Sequence, residues 1–161
     1  MSHPLHRLSA VAVAAVWALT GTAPPVPVER GWTWPTAPVQ IVRPFVAPAH
    51  AYGAGHRGID LTADGAVRSP ADGVIAYSGI VVDRGVLTID HGDGLVTTFE
   101  PVESALRAGE AVTRGQEVAE VSSGGHTADG AVHFGVRRNG DYINPLLMLG
   151  GVPRAILLPC C

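Results

Sequence analysis

Between residues 73 and 136 the chain repeatedly gathers β-branched, aromatic and aliphatic residues into short runs and breaks them with glycine. The runs are Gly73-Val74-Ile75-Ala76-Tyr77, Gly85-Val86-Leu87-Thr88-Ile89, Leu95-Val96-Thr97-Thr98-Phe99, Glu117-Val118-Ala119-Glu120-Val121 and Ala131-Val132-His133-Phe134-Gly135-Val136. Side chains along a strand point alternately to two faces, and residues of this type suit a pleated, half-buried surface. His91-Gly92-Asp93-Gly94 and Arg138-Asn139-Gly140-Asp141 carry the Gly, Asn and Asp that tight links between antiparallel strands use. The pattern predicts a mostly β fold: a single antiparallel sandwich of the barrel-sandwich-hybrid kind, with little helix. The best helical stretch runs from Val102 to Arg107, and Pro145 to Leu149 is expected to add one terminal turn.

An internal echo supports the sandwich. Val67-Arg68-Ser69-Pro70-Ala71-Asp72-Gly73-Val74 and Val112-Thr113-Arg114-Gly115-Gln116-Glu117-Val118 set valines and a glycine in similar order, and this resembles the hairpins of biotinyl and lipoyl carrier domains. Those carriers attach their prosthetic group to a lysine. The 11 basic residues here are all arginine, so the architecture stands and the carrier function is excluded.

The flanks read differently. Leu8 to Leu19 is almost unbroken Ala, Val and Leu after a weakly basic start, too short for a stable bilayer span, and Thr20-Gly21-Thr22-Ala23 supplies small residues for cleavage. Residues 1–23 are therefore expected to be a signal peptide, with a retained anchor as the alternative, and the mature chain to be secreted or held in the cell envelope without a membrane span. Prolines recur around Trp32 and Trp34, so residues 24–44 read as an extended lead-in to a domain over residues 45–150. Residues 151–161 form a tail ending in Cys160 and Cys161, which cannot staple the domain by pairing with each other; a free tail or an intermolecular disulfide are the two readings. With 161 residues there is room for one core. A formal charge of −3 and scattered arginines give no basic stripe, so nucleic acid is not expected as a partner, while cell-wall polymers stay open.

The candidate chemistry lies in His56-Arg57-Gly58-Ile59-Asp60 and in His133. Two imidazoles and a carboxylate are a donor set for a divalent metal such as zinc, and three protein ligands leave a tetrahedral position open. A His and an Asp four apart arise often by chance. Gly53, Gly55 and Gly58 strengthen the reading by allowing a tight backbone around the ligands, and His133 sits in an apolar strand where an imidazole needs a partner. A purely structural zinc site is the weaker reading, because closed sites want a fourth protein ligand, usually cysteine.

With these motifs in order, the stretch from about Phe45 to Leu149 resembles the lysostaphin-like zinc metallopeptidases, peptidase family M23, which cut peptide bonds in bacterial peptidoglycan. Gly55-His56-Arg57-Gly58-Ile59-Asp60-Leu61 is similar to the family's first metal motif, Ile89-Asp90-His91-Gly92 to its Asp-His-Gly turn, Val132-His133-Phe134-Gly135-Val136-Arg137 to its closing strand, and Tyr142-Ile143-Asn144-Pro145 to its usual end. Phe-Glu-Pro at 99–101 and the closing strand are also similar to compact actinobacterial members. The resemblance implies Zn2+ as cofactor, His56, Asp60 and His133 as its ligands, and peptidoglycan peptide as the partner. Two departures stand out. Ala131 occupies the place of a family histidine that, two residues before the last ligand on the same strand face, points at the reacting centre, and Pro101 occupies the place of another. Proton transfer is thus expected to fall to His126 in the Gly124-Gly125-His126-Thr127 loop, or to His91 or Glu100, with Arg57 donating to substrate or covering the rim. The leading expectation is an exported zinc metalloendopeptidase; the alternative is a non-catalytic relative that binds wall peptide or regulates another hydrolase.

Overall fold

A computed structural model of the chain describes residues 31–50, 52–125 and 127–150. The expected signal peptide, His126 and the tail with Cys160 and Cys161 lie outside the described residues. The elements are β1 (Ile41–Arg43), β2 (Gly58–Thr62), β3 (Ala66–Arg68), β4 (Gly73–Val81), β5 (Arg84–Asp90), β6 (Leu95–Glu100), β7 (Val102–Glu103), β8 (Ala111–Val112), β9 (Glu117–Val121), β10 (Ala131–Arg138), β11 (Asp141–Ile143) and α1 (Leu146–Leu149). The five hydrophobic runs become β4, β5, β6, β9 and β10. They form an antiparallel sheet in the order β1-β2-β10-β6-β5-β4-β8, with β11 on β10, and a smaller sheet in the order β3-β9-β7.

Alternation along the strands divides the larger sheet into two faces. One carries Ile59 and Leu61 of β2, Val132, Phe134 and Val136 of β10, Thr97 and Phe99 of β6 and Leu87 and Ile89 of β5, all essentially inaccessible. Phe99 and Phe134 stack with ring centroids 5.1 Å apart. Each such side chain contributes roughly 1.5–3 kcal/mol by leaving water. The opposite face carries Asp60, His133, Thr98 and Glu100, which the same parity turns away from the core.

The echo marks a clasp between its two copies. β3 pairs with β9 and β4 pairs with β8, so each strand–turn–strand unit bonds to the other. Their turns meet through Ser69 N–H on the Gln116 carbonyl and Gly115 N–H on the Ser69 carbonyl, both 2.8 Å.

One expectation is corrected. Val102 to Arg107 is not helical; Val102–Glu103 is strand β7, and the remainder is irregular. Pairing of Val102 with Val121 buries the valine against the core, and Ser104 Oγ donates to the Val118 carbonyl at 2.6 Å, so contacts with β9 outweigh a weak local helix preference. The terminal turn does form, as α1, with Gly150 in the left-handed conformation closing it.

The described part of the lead-in, residues 31–44, packs on the domain. Trp32 and Thr36 are buried. Thr33 N–H donates to the Pro70 carbonyl, and Arg68 N–H to the Pro35 carbonyl.

Candidate metal centre

Register assembles the centre. β2 and β10 run antiparallel with Asp60 directly opposite His133, so their side chains leave the same face side by side. His56 precedes β2 and is fixed by a two-bond bridge to Val46, with N···O distances of 2.8 and 3.0 Å. Glycine makes the approach possible at Gly58, where a Cβ would meet the Phe134 carbonyl oxygen and lie 2.6 Å from His133 Nε2. All three polar residues are buried.

Three atoms converge: His56 Nε2 lies 3.0 Å from Asp60 Oδ1 and 3.1 Å from His133 Nδ1, and His133 Nδ1 lies 2.8 Å from Asp60 Oδ1. His56 Nδ1–H donates to the Pro44 carbonyl at 2.8 Å, which leaves Nε2 a lone pair aimed at the other two atoms. His56 Nε2 thus faces Asp60 Oδ1 and His133 Nδ1, three donor atoms that a single central cation would join. Ligand atoms about 2.0–2.2 Å from a tetrahedral zinc stand roughly 3.4 Å apart, close to the observed spacing. The donor set therefore fits zinc. Burial alone would raise the Asp60 carboxyl, but the His133 hydrogen bond and the nearby imidazoles overcome it and hold the group below its usual value.

Over the ligands opens a cleft of about 350 Å³ lined by Arg43, Gly55, His56, Arg57, Arg84, Thr98, Glu100, His133, Gly135 and Tyr142. Glu100 enters because β6 places it opposite His133. Arg84 Nε donates to Glu100 Oε2 at 2.9 Å and Nη1 to Asp83 Oδ1 at 3.2 Å. The hydrogen bond to Glu100 leads the causes that raise the guanidinium pKa further. Arg57 Nη2 donates to the Gly53 carbonyl at 3.1 Å.

Peptidase family M23 matches residues 54–145, more than half of the chain. The chain belongs to peptidase family M23. An uncharacterized protein of Mycobacterium tuberculosis is 28% identical over 155 residues, covering 91% of this chain and 62% of that protein. The murein hydrolase activator NlpD of Escherichia coli is 31% identical over 124 residues, covering 73% of this chain and 31% of NlpD. The chain thus spans less than two thirds of these relatives' own lengths. Among solved structures, a zinc containing peptidase from Vibrio cholerae superimposes with a TM-score of 0.61 at 24% identity, covering 71% of this chain and 39% of that one; at that identity the likeness concerns the fold.

Within this M23 fold the sequence-derived ligands His56, Asp60 and His133 come together, whereas the expected proton-transfer residues fare differently. The structure does not bring His91 to the cluster. Its turn lies beside Leu95, and β6 needs about 13 Å of strand to climb from Val96 to Glu100, the residue level with His133. His91 Nδ1 lies 2.9 Å from the Asp72 carbonyl, Nε2 lies 2.8 Å from Thr97 Oγ1, and the ring packs on Trp32. Burial lowers its pKa, partly opposed by the Asp72 backbone bond. These contacts tie the turn to Asp72 and to Trp32 of the lead-in. His126 lies outside the described residues. Glu100 does reach the cleft, while Ala131 is buried without a polar group and Pro101 is absent from the lining. The sequence reading missed Arg84, although its parity with Thr88 along β5 places it on the face of Thr98 and Glu100; no sequence signal marks the Pro44 carbonyl.

Proposed function

We propose that this M23 member is an exported zinc metalloendopeptidase that hydrolyses peptide bonds of bacterial peptidoglycan, with zinc on His56, Asp60 and His133. The observation that carries the reading is the convergence of three buried donor atoms within 3.1 Å of one another beneath an open cleft. Bound zinc would supply Lewis acidity and lower the pKa of a water toward neutrality. The chain's own part is orientation: Pro44 fixes the His56 tautomer, Gly58 admits the His133 ring, and the Arg84–Glu100 pair sets charge at the side of the cleft. The mature protein is expected to hold one zinc and release wall fragments, and His133→Ala to lose both. Loss of zinc with undiminished digestion would remove the assignment of this site.

A second reading, a non-catalytic relative that binds wall peptide or regulates another hydrolase, is favoured by Ala131 and Pro101 and by the similarity to a murein hydrolase activator. It expects retention on purified peptidoglycan without released fragments. Ala131 shares the strand face of His133, so Ala131→His restores an imidazole beside the cluster. A gain of cleavage of about 10²–10⁴ over the parent would support the non-catalytic reading of the parent chain.

A further inference from the structure

Arg84 is held from several sides at once. Its Nε donates to Glu100 Oε2 at 2.9 Å and its Nη1 to Asp83 Oδ1 at 3.2 Å, and Glu100 itself stands opposite His133 in the pairing of β6 with β10. The turn before it is tight. Asp83 N–H donates to the Val81 carbonyl at 2.9 Å across Val82, a β-branched residue whose φ of 61° lies in the left-handed region. Such strain persists only where the surroundings impose it, and it gathers at functional sites. The Gly124-Gly125 loop closes on the arginine stem: a Cβ on Gly125 would lie 2.5 Å from Arg84 Cδ, and one on Gly124 would lie 2.6 Å from the Asp83 carbonyl oxygen. Asp83 and Glu100 offset the guanidinium charge, and Asp60 is held by the two imidazoles, so no excess of positive charge is involved. What these contacts fix is direction. With Nε and Nη1 engaged, the guanidinium plane is set, and Nη2 projects from it at a fixed angle in a side chain that lines the same cleft as His56 and His133.

We propose that Arg84 is a catalytic residue whose N–H donors meet the negative charge developing on the carbonyl oxygen of a peptide bond cleaved over His56, Asp60 and His133, with Glu100 and Asp83 as its positioning residues. As the oxygen of a water bonds to the carbonyl carbon, the π pair of the C=O bond moves onto the carbonyl oxygen. That pair returns when the C–N bond breaks; the amine leaves with one proton of the water, and the new carboxyl group gives the other to solvent. Arg84 lends hydrogen bonds and gives up no proton. A donor fixed in advance stabilises the charge without reorganising at the moment of reaction. Ala131 is buried without a polar group and Pro101 is absent from the lining, so neither supplies this donor. The inference rests on the peptidase reading and assigns a role which that reading leaves open.

The test uses the full chain loaded with zinc, Arg84→Gln, and the double variant Arg84→Gln with Glu100→Gln, which removes the donor without stranding a carboxylate. Turnover is followed on muropeptide dimers from purified peptidoglycan. Calorimetry follows binding of an alanyl-alanine phosphinic peptide, in which a charged phosphinate and a methylene replace the amide, beside the corresponding amide peptide. In both variants kcat is expected to fall by about 10²–10³ while KM stays within about three-fold. The phosphinic peptide should lose affinity by a similar factor and the amide peptide should not, because only the former carries the charge of the transition state. Zinc content is expected to hold. Unchanged kcat and phosphinate affinity, equal weakening of the two peptides, or loss of zinc in both variants overturns the inference. A parent that holds zinc and cleaves the dimers, with both variants its equal, keeps the peptidase reading and loses the role of Arg84. One that prefers the phosphinic peptide through Arg84 yet releases no fragments does the reverse.

Discussion

Gly58 shows how tightly a single position is drawn. It lies between His56 and Asp60 in sequence and against His133 in space, so a methyl group there would collide with the His133 ring and the Phe134 carbonyl. Overpacking of this sort costs about 1–3 kcal/mol. Gly58→Ala is therefore expected to lower stability by that order in a urea titration and to weaken zinc binding at least ten-fold in a competition assay. His91 makes a different prediction. Its folded pKa lies below 6.5, so an unfolded chain takes up a proton that the buried ring refuses. Its contribution is full above pH 6.5 and is lost as pH falls from there toward the lowered folded value. Unfolding free energy should thus drop between pH 7.5 and 5.5, and His91→Gln should flatten that slope; an unchanged slope would contradict the burial. Asp60 acts in a separate window, stabilising above its ordinary 3.8 and ceasing to do so as pH falls below it. At this scale the candidate donors were readable as a group because the type and order of His56, Asp60 and His133 carry chemistry in themselves, and the fold brings their donor atoms together. Arg84 was not, since its relevance depends on which face of β5 meets the cleft.

Strands were readable where alternation and turn residues agreed, as in β5, the His91-Gly92-Asp93-Gly94 turn and β6. Elements too short to repeat the alternation were not: β7 and β8 have two residues each and exist through their partners. The Val102–Arg107 stretch failed for the same reason, because pairing with Val121 is a long-range fact. The lead-in repeats the lesson, since proline spacing shows extension but not docking. Trp32 fills the hollow shared with Ala71, Asp72, His91 and Arg114, away from the residues that line the ligand cleft. Trp32→Ala is expected to cost about 3 kcal/mol in denaturant while leaving zinc affinity unchanged. A parallel loss of metal would mean that the lead-in also shapes the ligand cleft.

Across the molecule, core and centre share their strands. β2 and β10 send Ile59, Leu61, Val132 and Phe134 one way and Asp60 and His133 the other. A metal that binds only the folded arrangement adds stability by mass action, about 2.7 kcal/mol at a hundred-fold excess over its dissociation constant. Zinc is therefore expected to raise the melting temperature, a chelator to lower it, and His133→Ala to abolish the shift; scanning calorimetry decides it. Fold class followed from patterning over the whole chain, and the two-sheet arrangement from the echo, whose copies proved to bind one another.

The direct opposition of Asp60 and His133 has one more consequence. Sliding β10 by a single residue against β2 would send Phe134 toward the cleft and His133 into the oil of the interior. A chain with the wrong pairing would lose His133 from the proposed site, so with zinc bound there as proposed, the fraction of a preparation that retains it after dialysis would count the chains that have found their register.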